Sequence, residues 1–476
     1  MKIKNSNIII CLIVIPLIIS AILLIANLNF LGFLLFLAVI VLGFLFYLIL
    51  KDPFLGLSLT IATLPFERIP TLDIGLFTLK IDQIFAGMTI VAWILKLFFD
   101  RKKIQPYSIG WTILFFILVS FISVLYAVDF NRALTVFIFT IFMIIVSLVT
   151  DNLVTTKEKM QTVIKVFFYT AFFVCLFGLY QFAGDIIGLP ITITGLKDIY
   201  SKAVLGFPRI QAFAMEPLFL ANYLFIPLGL AVSLYLFREN KFLSNTKLLI
   251  LIILILITLV LGISRGAYIA LGVFVLFFII FLARKVITVK NVVMLLISVS
   301  IIFGASYAFL KISNPNALDK FISHAKIEDF YIGESVQKRL ADYQKAVDFW
   351  QTSPTIGIGP GNYGPKYKNY PSHDEVAGWE VVNNQYLETL AETGILGLIF
   401  LTVTFLIIFW RTVKAYFYTK DNFLRAVLIG LIAAFIAILV QYNFFSTLYI
   451  MHIWILIGLI IAAQNLCFSK KENETK

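Results

Sequence analysis

Charge is the first thing this sequence is short of. Only 13% of its 476 residues are charged, against 61% hydrophobic, and the mean hydropathy is +0.98. Soluble domains carry about 25% charged residues, so an ordinary soluble protein is excluded. No polar stretch is extended enough to make a separate soluble domain. Cysteine is scarce too. Cys11, Cys175 and Cys467 lie in or beside apolar runs without CxxC spacing, which reads as packing rather than as a redox or metal motif. Low-complexity tracts and clear internal repeats are missing, which argues against transporters built from duplicated halves.

What the chain does have is apolar runs. A spanning helix needs roughly 20 apolar residues, and runs such as 248–261 and 267–283 recur from end to end. They predict an all-α polytopic membrane protein of about 12–14 transmembrane helices, with one large extracytoplasmic loop containing short helices. The first run, 8–26, reads as a retained helix, because it lacks a small-residue cleavage site and a second run follows directly. The run 54–64 is short for a span.

The net charge of +12 would point to nucleic acid in a soluble protein. Here the basic residues fall in alternate short connectors, among them Lys51, Arg101, Lys157, Lys159, Arg238, Lys247, Arg411, Lys414 and Lys420. That is the bias of cytoplasmic loops. It places both termini in the cytoplasm and calls for the lipid bilayer, not nucleic acid, as the partner.

One connector, 313–382, is far longer than the usual loop of about 4–6 residues. Within it Leu340, Tyr343, Val347 and Trp350 recur at helical spacing and predict an amphipathic helix over 335–351. Pro354 and the run Gly357-Ile-Gly-Pro-Gly361 then break regular structure.

Several polar residues stand against the apolar background. Arg265 lies in Leu261-Gly-Ile-Ser-Arg-Gly-Ala-Tyr268, between two apolar runs with almost no loop. A buried Arg costs about 2.5–3.5 kcal/mol on insertion scales, so it is kept where it has a partner; a snorkelling interfacial anchor is the alternative. Arg209 opens another run that contains Glu216-Pro217, and these two charges suit either mutual pairing or a substrate. Arg339 starts the expected amphipathic helix, where a surface charge is ordinarily solvated. Asn383 or Asn384 suits a helix N-cap, yet Asn384, Glu388 and Glu392 also form a polar stripe at helical spacing on an otherwise apolar helix.

Taken together, the Ser264-Arg265-Gly266 turn, the Arg-bearing loop helix ending in Trp350 with Gly357–Gly361 after it, and Asn384-Gln-Tyr-Leu387 with Glu392-x-Gly394-Ile-Leu-Gly397 resemble the O-antigen ligase and polymerase family. The resemblance spans roughly 207–405. It implies a glycosyltransferase that moves a glycan from a polyprenyl-diphosphate carrier to an acceptor sugar or lipid-linked acceptor, outside the cytoplasmic membrane of a bacterium, with no metal or other cofactor. It also implies other polysaccharide-assembly proteins as partners, and arginines that grip the diphosphate: Arg265, Arg339 and Arg209, with Glu216 and Asn384 as further polar site residues. Guanidinium groups suit that task independently, since they bind phosphate oxygens bidentately and keep their charge.

The sequence departs from the ligases at one point. They place a His immediately before the Asn of the Asn-x-x-Leu segment to act on the acceptor, and here that position is Asn383, which takes no proton at neutral pH. The catalytic candidates are therefore His373, Glu380, Asn383 and Glu388. On this reading the chain divides into N-terminal helices (1–206), central helices with the turn (207–312), the large loop (313–382), C-terminal helices (383–467) and a cytoplasmic tail (468–476). The alternative function is a flippase or transporter of lipid-linked oligosaccharide, which should carry its charges at mid-membrane and have short loops on both sides. A non-catalytic assembly subunit is the third reading.

Overall fold

The computed structural model describes residues 37, 40–68, 71–73, 78–101, 104–238, 243–286, 334–368, 380–446 and 448–469. Within them the order is α1 (Ile40–Lys51), α2 (Pro53–Thr63), a two-stranded antiparallel ribbon of β1 (Thr71–Asp73) and β2 (Thr78–Lys80), α3 (Ile81–Asp100), α4 (Gly110–Leu125), α5 (Phe130–Leu153) and α6 (Lys157–Ile186). There follow the single turns α7 (Ile191–Thr194) and α8 (Lys202–Leu205), then α9 (Pro217–Phe237), α10 (Asn245–Leu261), α11 (Arg265–Val286), α12 (Glu334–Thr352), α13 (Tyr363–Lys368), α14 (Gln385–Tyr418), α15 (Asn422–Gln441) and α16 (Met451–Ser469). Eight of these helices are long and apolar enough to cross a bilayer, and four more are shorter apolar helices. The all-α polytopic architecture expected from the apolar runs is the one observed.

Short polar residues start the helices where the apolar runs begin. Asp52 accepts from Phe54 N at 3.1 Å, Asp129 from Arg132 N at 3.0 Å and Asp421 from Phe423 N at 2.9 Å. Each side chain satisfies a backbone donor that the first helical turn leaves free. α2 has eleven residues and reaches only about 17 Å, well short of a full span.

The core is the pair α9 and α15, with α16 alongside α15 and α5 and with α10 and α11 flanking α9. Gly229 of α9 and Gly430 of α15 let the two backbones touch. A Cβ on Gly229 would lie 2.2 Å from the Gly430 carbonyl oxygen, and one on Gly430 would lie 2.6 Å from that of Gly229. Small residues serve membrane helices in this way, because close backbone approach supplies packing that lipid cannot. At the periphery Phe98, Phe99, Trp111, Phe281 and Trp410 are exposed, as befits side chains facing hydrocarbon.

The two ends of the bundle differ. One gathers the basic connectors, including Lys51, Lys157, Lys159 and Arg411; there Lys157 pairs with Asp421 at 2.9 Å, and Arg411 donates to Asn465, which donates to the buried Asp151. The other end carries α12, α13 and the starts of α9, α11, α14 and α16.

The expected helix 335–351 appears as Glu334–Thr352, so Arg339 lies in its second turn and not at its start. Its buried stripe is Asp342, Lys345, Ala346 and Phe349, while Leu340 is 58% exposed. Two polar positions thus share the buried face, which an apolar pattern misses. Glu216, expected inside a helix, is instead the exposed N-cap of α9, because Pro217 fixes the first helical position. Cys175 and Cys467 are buried; Cys11 lies outside the described residues.

Candidate functional site

Four connections at the second end bring distant segments together. The first is the turn between α10 and α11. Ile263 takes a left-handed φ of 44° and Arg265 opens α11. The Tyr268 hydroxyl donates to Val260 O at 2.6 Å, tying the first turn of α11 back to α10. Ile210 N donates to Leu261 O at 3.3 Å, so the strand-like segment with Arg209 lies against the same turn.

Arg209 and Arg265 are therefore neighbours. Burial is the main influence on the Arg209 guanidinium and lowers its pKa; Tyr200, Tyr268 and Glu216 oppose that fall, while the Arg265 charge adds to it. The guanidinium stands 5.5 Å from the Tyr200 ring centroid, and its Nε is buried with no hydrogen-bond partner among the described residues. Buried donors are nearly always satisfied. Glu216 stands close enough to act on Arg209, and the adjacent Met215 N donates to the buried Glu67 carboxylate at 3.0 Å.

The second connection is the loop between α15 and α16. A Cβ on Gly266 would lie only 3.0 Å from the Phe444 ring, so the Ser264-Arg265-Gly266 turn packs on Phe444. Next to it, Asn443 O accepts from the Tyr343 hydroxyl at 2.8 Å, and Asn383 O lies 3.4 Å from the same hydroxyl. Tyr343 follows Arg339 by one helical turn, and the Arg339 charge acts on it. The loop carrying Asn443 and Phe444 is thus shared by the turn that bears Arg265 and the helix that bears Arg339.

The third is the start of α14. Asn384 is its N-cap, accepting from Tyr386 N at 3.0 Å and Leu387 N at 3.1 Å. Asn383 has a left-handed φ of 56°, and its side chain donates only to Val381 O. Glu388 is buried; Val382 N donates to it at 3.4 Å, and Ser446 stands beside it without hydrogen-bond geometry.

The fourth joins the glycine run to the same helix. α14 breaks at Gly394, whose φ is 68°, so residues 385–393 form a short segment set apart from the long apolar part. Into this break fits the run 357–361: Ile358 N donates to Ala391 O, Gly359 N to Glu392 O, and Ile395 N to Pro354 O. A Cβ on Gly357 would sit 2.3 Å from the Glu392 carbonyl carbon, and one on Gly394 would sit 2.3 Å from that of Thr355. Only glycine permits both the approach and the positive φ. The Glu392 carboxylate accepts from Gly361 N at 2.7 Å and Tyr363 N at 3.2 Å, holding the entrance to α13.

Arg132 was not marked by the sequence. Its Nε donates to Gly361 O at 2.5 Å, and its charge acts on Glu388 and Glu392. Asn362, which follows Gly361 in the glycine-run motif of the resemblance, has its side-chain oxygen 2.6 Å from Asp129 N. Neither residue's partner can be read in one dimension, and only the docking of 357–363 onto the start of α5 supplies them.

Of the candidates from sequence, Arg209, Arg265, Arg339, Glu216, Asn383, Asn384 and Glu388 lie at this end. Glu380 does too, 3.4 Å from Lys338 Nζ. His373 lies outside the described residues. Among the described residues, no three His, Cys, Asp or Glu cluster as a metal-ligand set.

Residues 250–402 match the family described as O-antigen ligase. The match takes in Arg265, Arg339, Glu380, Asn384, Glu388, Glu392 and both glycine positions of the break, and leaves out Arg209, Arg132 and the 442–448 loop. No curated protein matches the chain. This multi-pass membrane protein thus carries, over residues 250–402, a domain similar to the O-antigen ligase family.

Proposed function

We propose that the protein transfers a glycan from a polyprenyl-diphosphate carrier to an acceptor sugar at the outer face of the bacterial cytoplasmic membrane. One observation carries this reading: Arg209 and Arg265 share one corner of the bundle, and a buried Arg209 N–H there has no acceptor among the described residues. Such a donor beside a second guanidinium is arranged for an anion with several oxygens, and a diphosphate supplies them. Arg339 meets the same corner through Tyr343 and the 442–446 loop.

In the proposed step the acceptor hydroxyl attacks the anomeric carbon from the face opposite the carrier, so the configuration inverts. Negative charge grows on the departing diphosphate, and prearranged guanidiniums stabilise it more than they stabilise the intact donor. The candidate acid–base groups are Glu380, Glu388 and His373, with Asn383 beside them as a polar contact. The orientation follows from charge: the end rich in Lys and Arg faces the cytoplasm, which puts the site, the large loop at 313–382 and the acceptor outside, with both termini and the tail at 468–476 inside. The polymerase form is favoured over the ligase form, because Asn383 stands where the ligases carry His.

The test is purified protein with a polyprenyl-diphosphate oligosaccharide, with and without chelator. A ladder of products insensitive to chelator is expected. A single transfer to a lipid acceptor would identify a ligase, and translocation without a new glycosidic bond would overturn the reading.

A further inference from the structure

Arg209 sits on a stretch of chain with no regular structure of its own. Residues 206–216, between α8 and α9, form neither helix nor strand, so their backbone groups need partners from elsewhere. Arg209 N donates to Tyr200 O at 2.9 Å and Ile210 N to Leu261 O at 3.3 Å. Beyond Ile210 the partners come from the N-terminal half of the chain. The Gln181 amide of α6 takes both backbone groups of Ala212: its Oε1 accepts from Ala212 N at 2.8 Å, and its Nε2 donates to Ala212 O at 3.3 Å. Arg68 N donates to Phe213 O at 3.2 Å, Met215 N to Glu67 at 3.0 Å, and Lys197 Nζ to Met215 O at 2.8 Å. Phe213 stacks on Phe177 of α6, with ring centroids 4.1 Å apart.

The Gln181 contact differs from the others in what it holds. Ala212 has a left-handed φ of 48°. That conformation is unfavourable for a residue with a side chain and persists where its surroundings over-determine it. Gln181 is fully buried and spends a donor and an acceptor on this one alanine. The bend it fixes lies three residues after Arg209. The guanidinium cannot place itself: its Nε has no hydrogen-bond partner among the described residues, and its charge is opposed by that of Arg265. The Tyr200 ring and the chain beneath it hold it in place.

We propose, resting on the diphosphate reading above, that Gln181 is a positioning residue for Arg209. By fixing the bend at Ala212 it keeps the guanidinium at the Arg265 corner before any ligand arrives, and α6, which lies outside the matched residues 250–402, becomes part of the donor site. A protein that holds its binding-competent arrangement for only a fraction of the time binds more weakly by that fraction. Loss of the amide therefore appears as lost affinity for the diphosphate, and only while Arg209 is present.

The experiment measures binding of polyprenyl diphosphate, the carrier without its sugar, to the purified full-length protein. Gln181→Leu removes both hydrogen bonds at similar volume and is expected to weaken binding by about 10-fold. Arg209→Ala is expected to weaken it by about 10-fold or more. The two losses should not add: in the Arg209→Ala background, Gln181→Leu is expected to change affinity by less than about twofold, because no guanidinium is left to place. A Gln181 that serves only the fold would cost the same factor in both backgrounds, and that result overturns the proposal. If Gln181→Leu does not survive extraction, Gln181→Glu, which keeps the acceptor for Ala212 N, carries the same cycle. A loss of about threefold is then expected with Arg209 present and none without it; equal losses in both backgrounds overturn the proposal. The arginine variants separate the two levels. If Arg209→Ala and Arg265→Ala both bind polyprenyl diphosphate like the wild type, the diphosphate reading itself fails. If both lose affinity while Gln181→Leu keeps it, only the role of Gln181 fails.

Discussion

The two ends of the bundle treat ionised side chains in different ways. At the basic end Lys157 meets Asp421, and Arg411 reaches the buried Asp151 through Asn465. Charge there is matched with charge or with an amide relay, while Asp151 Oδ2 and Arg425 Nε are buried with no hydrogen-bond partner among the described residues. At the other end the carboxylate of Glu392 is spent on two backbone N–H groups, and Arg209 stands on an aromatic ring with one buried donor unsatisfied among the described residues. What sets the second end apart is that its unfilled donor belongs to a guanidinium standing beside a second arginine, Arg265.

That contrast is broken most directly by Arg265→Ala, which should reduce glycan transfer by about 100-fold or more if a prearranged donor to the leaving group is lost. The check is product formation at matched protein levels in membranes. Near-normal transfer would make the two ends equivalent. Arg265→Lys should be nearly as poor, because an ammonium lacks the planar fork; full activity would reduce Arg265 to a point charge.

Gly394→Ala comes next. It forces a side chain into a left-handed φ and against the Thr355 carbonyl carbon, so a loss of about 1–3 kcal/mol is expected. Thermal unfolding in detergent reads it directly, and an unchanged melting temperature would mean that the break in α14 adjusts freely. Smallest is Lys157→Ala at the basic end. That pair is partly exposed, so its removal should change stability by about 1 kcal/mol or less and leave transfer unchanged. A collapse of transfer there would erase the distinction between the ends.

Much of this was legible in one dimension. Apolar runs announce spanning helices because a bilayer demands about 20 such residues in a row, and Asn384 announces its cap through its type and place. The arginines stand out because a charge at the edge of an apolar run is expensive. The interruption in α14 was hidden, since Gly394 lies in a sequence that continues into an unbroken apolar stretch, and only the glycine run at 357–361 explains it. The partners of Arg132 and Asn362 were hidden for a related reason. They come from segments more than two hundred residues away, and no local pattern encodes such pairings. The buried face of α12 misled in detail, because an aspartate and a lysine occupy it beside an alanine and a phenylalanine.

The contact between Gly229 and Gly430 has a consequence for the long isoprenoid tail that the proposed donor would bring. With the two backbones in van der Waals contact there, the described residues leave no room between α9 and α15 for a chain of that thickness. On the proposed function, a tail kept out of that seam lies in the surrounding lipid along the outside wall of the protein, and only the head of the carrier turns inward. Entry of the donor is then a sideways docking from the membrane, and spent carrier can leave by the same lateral route without the helices having to part.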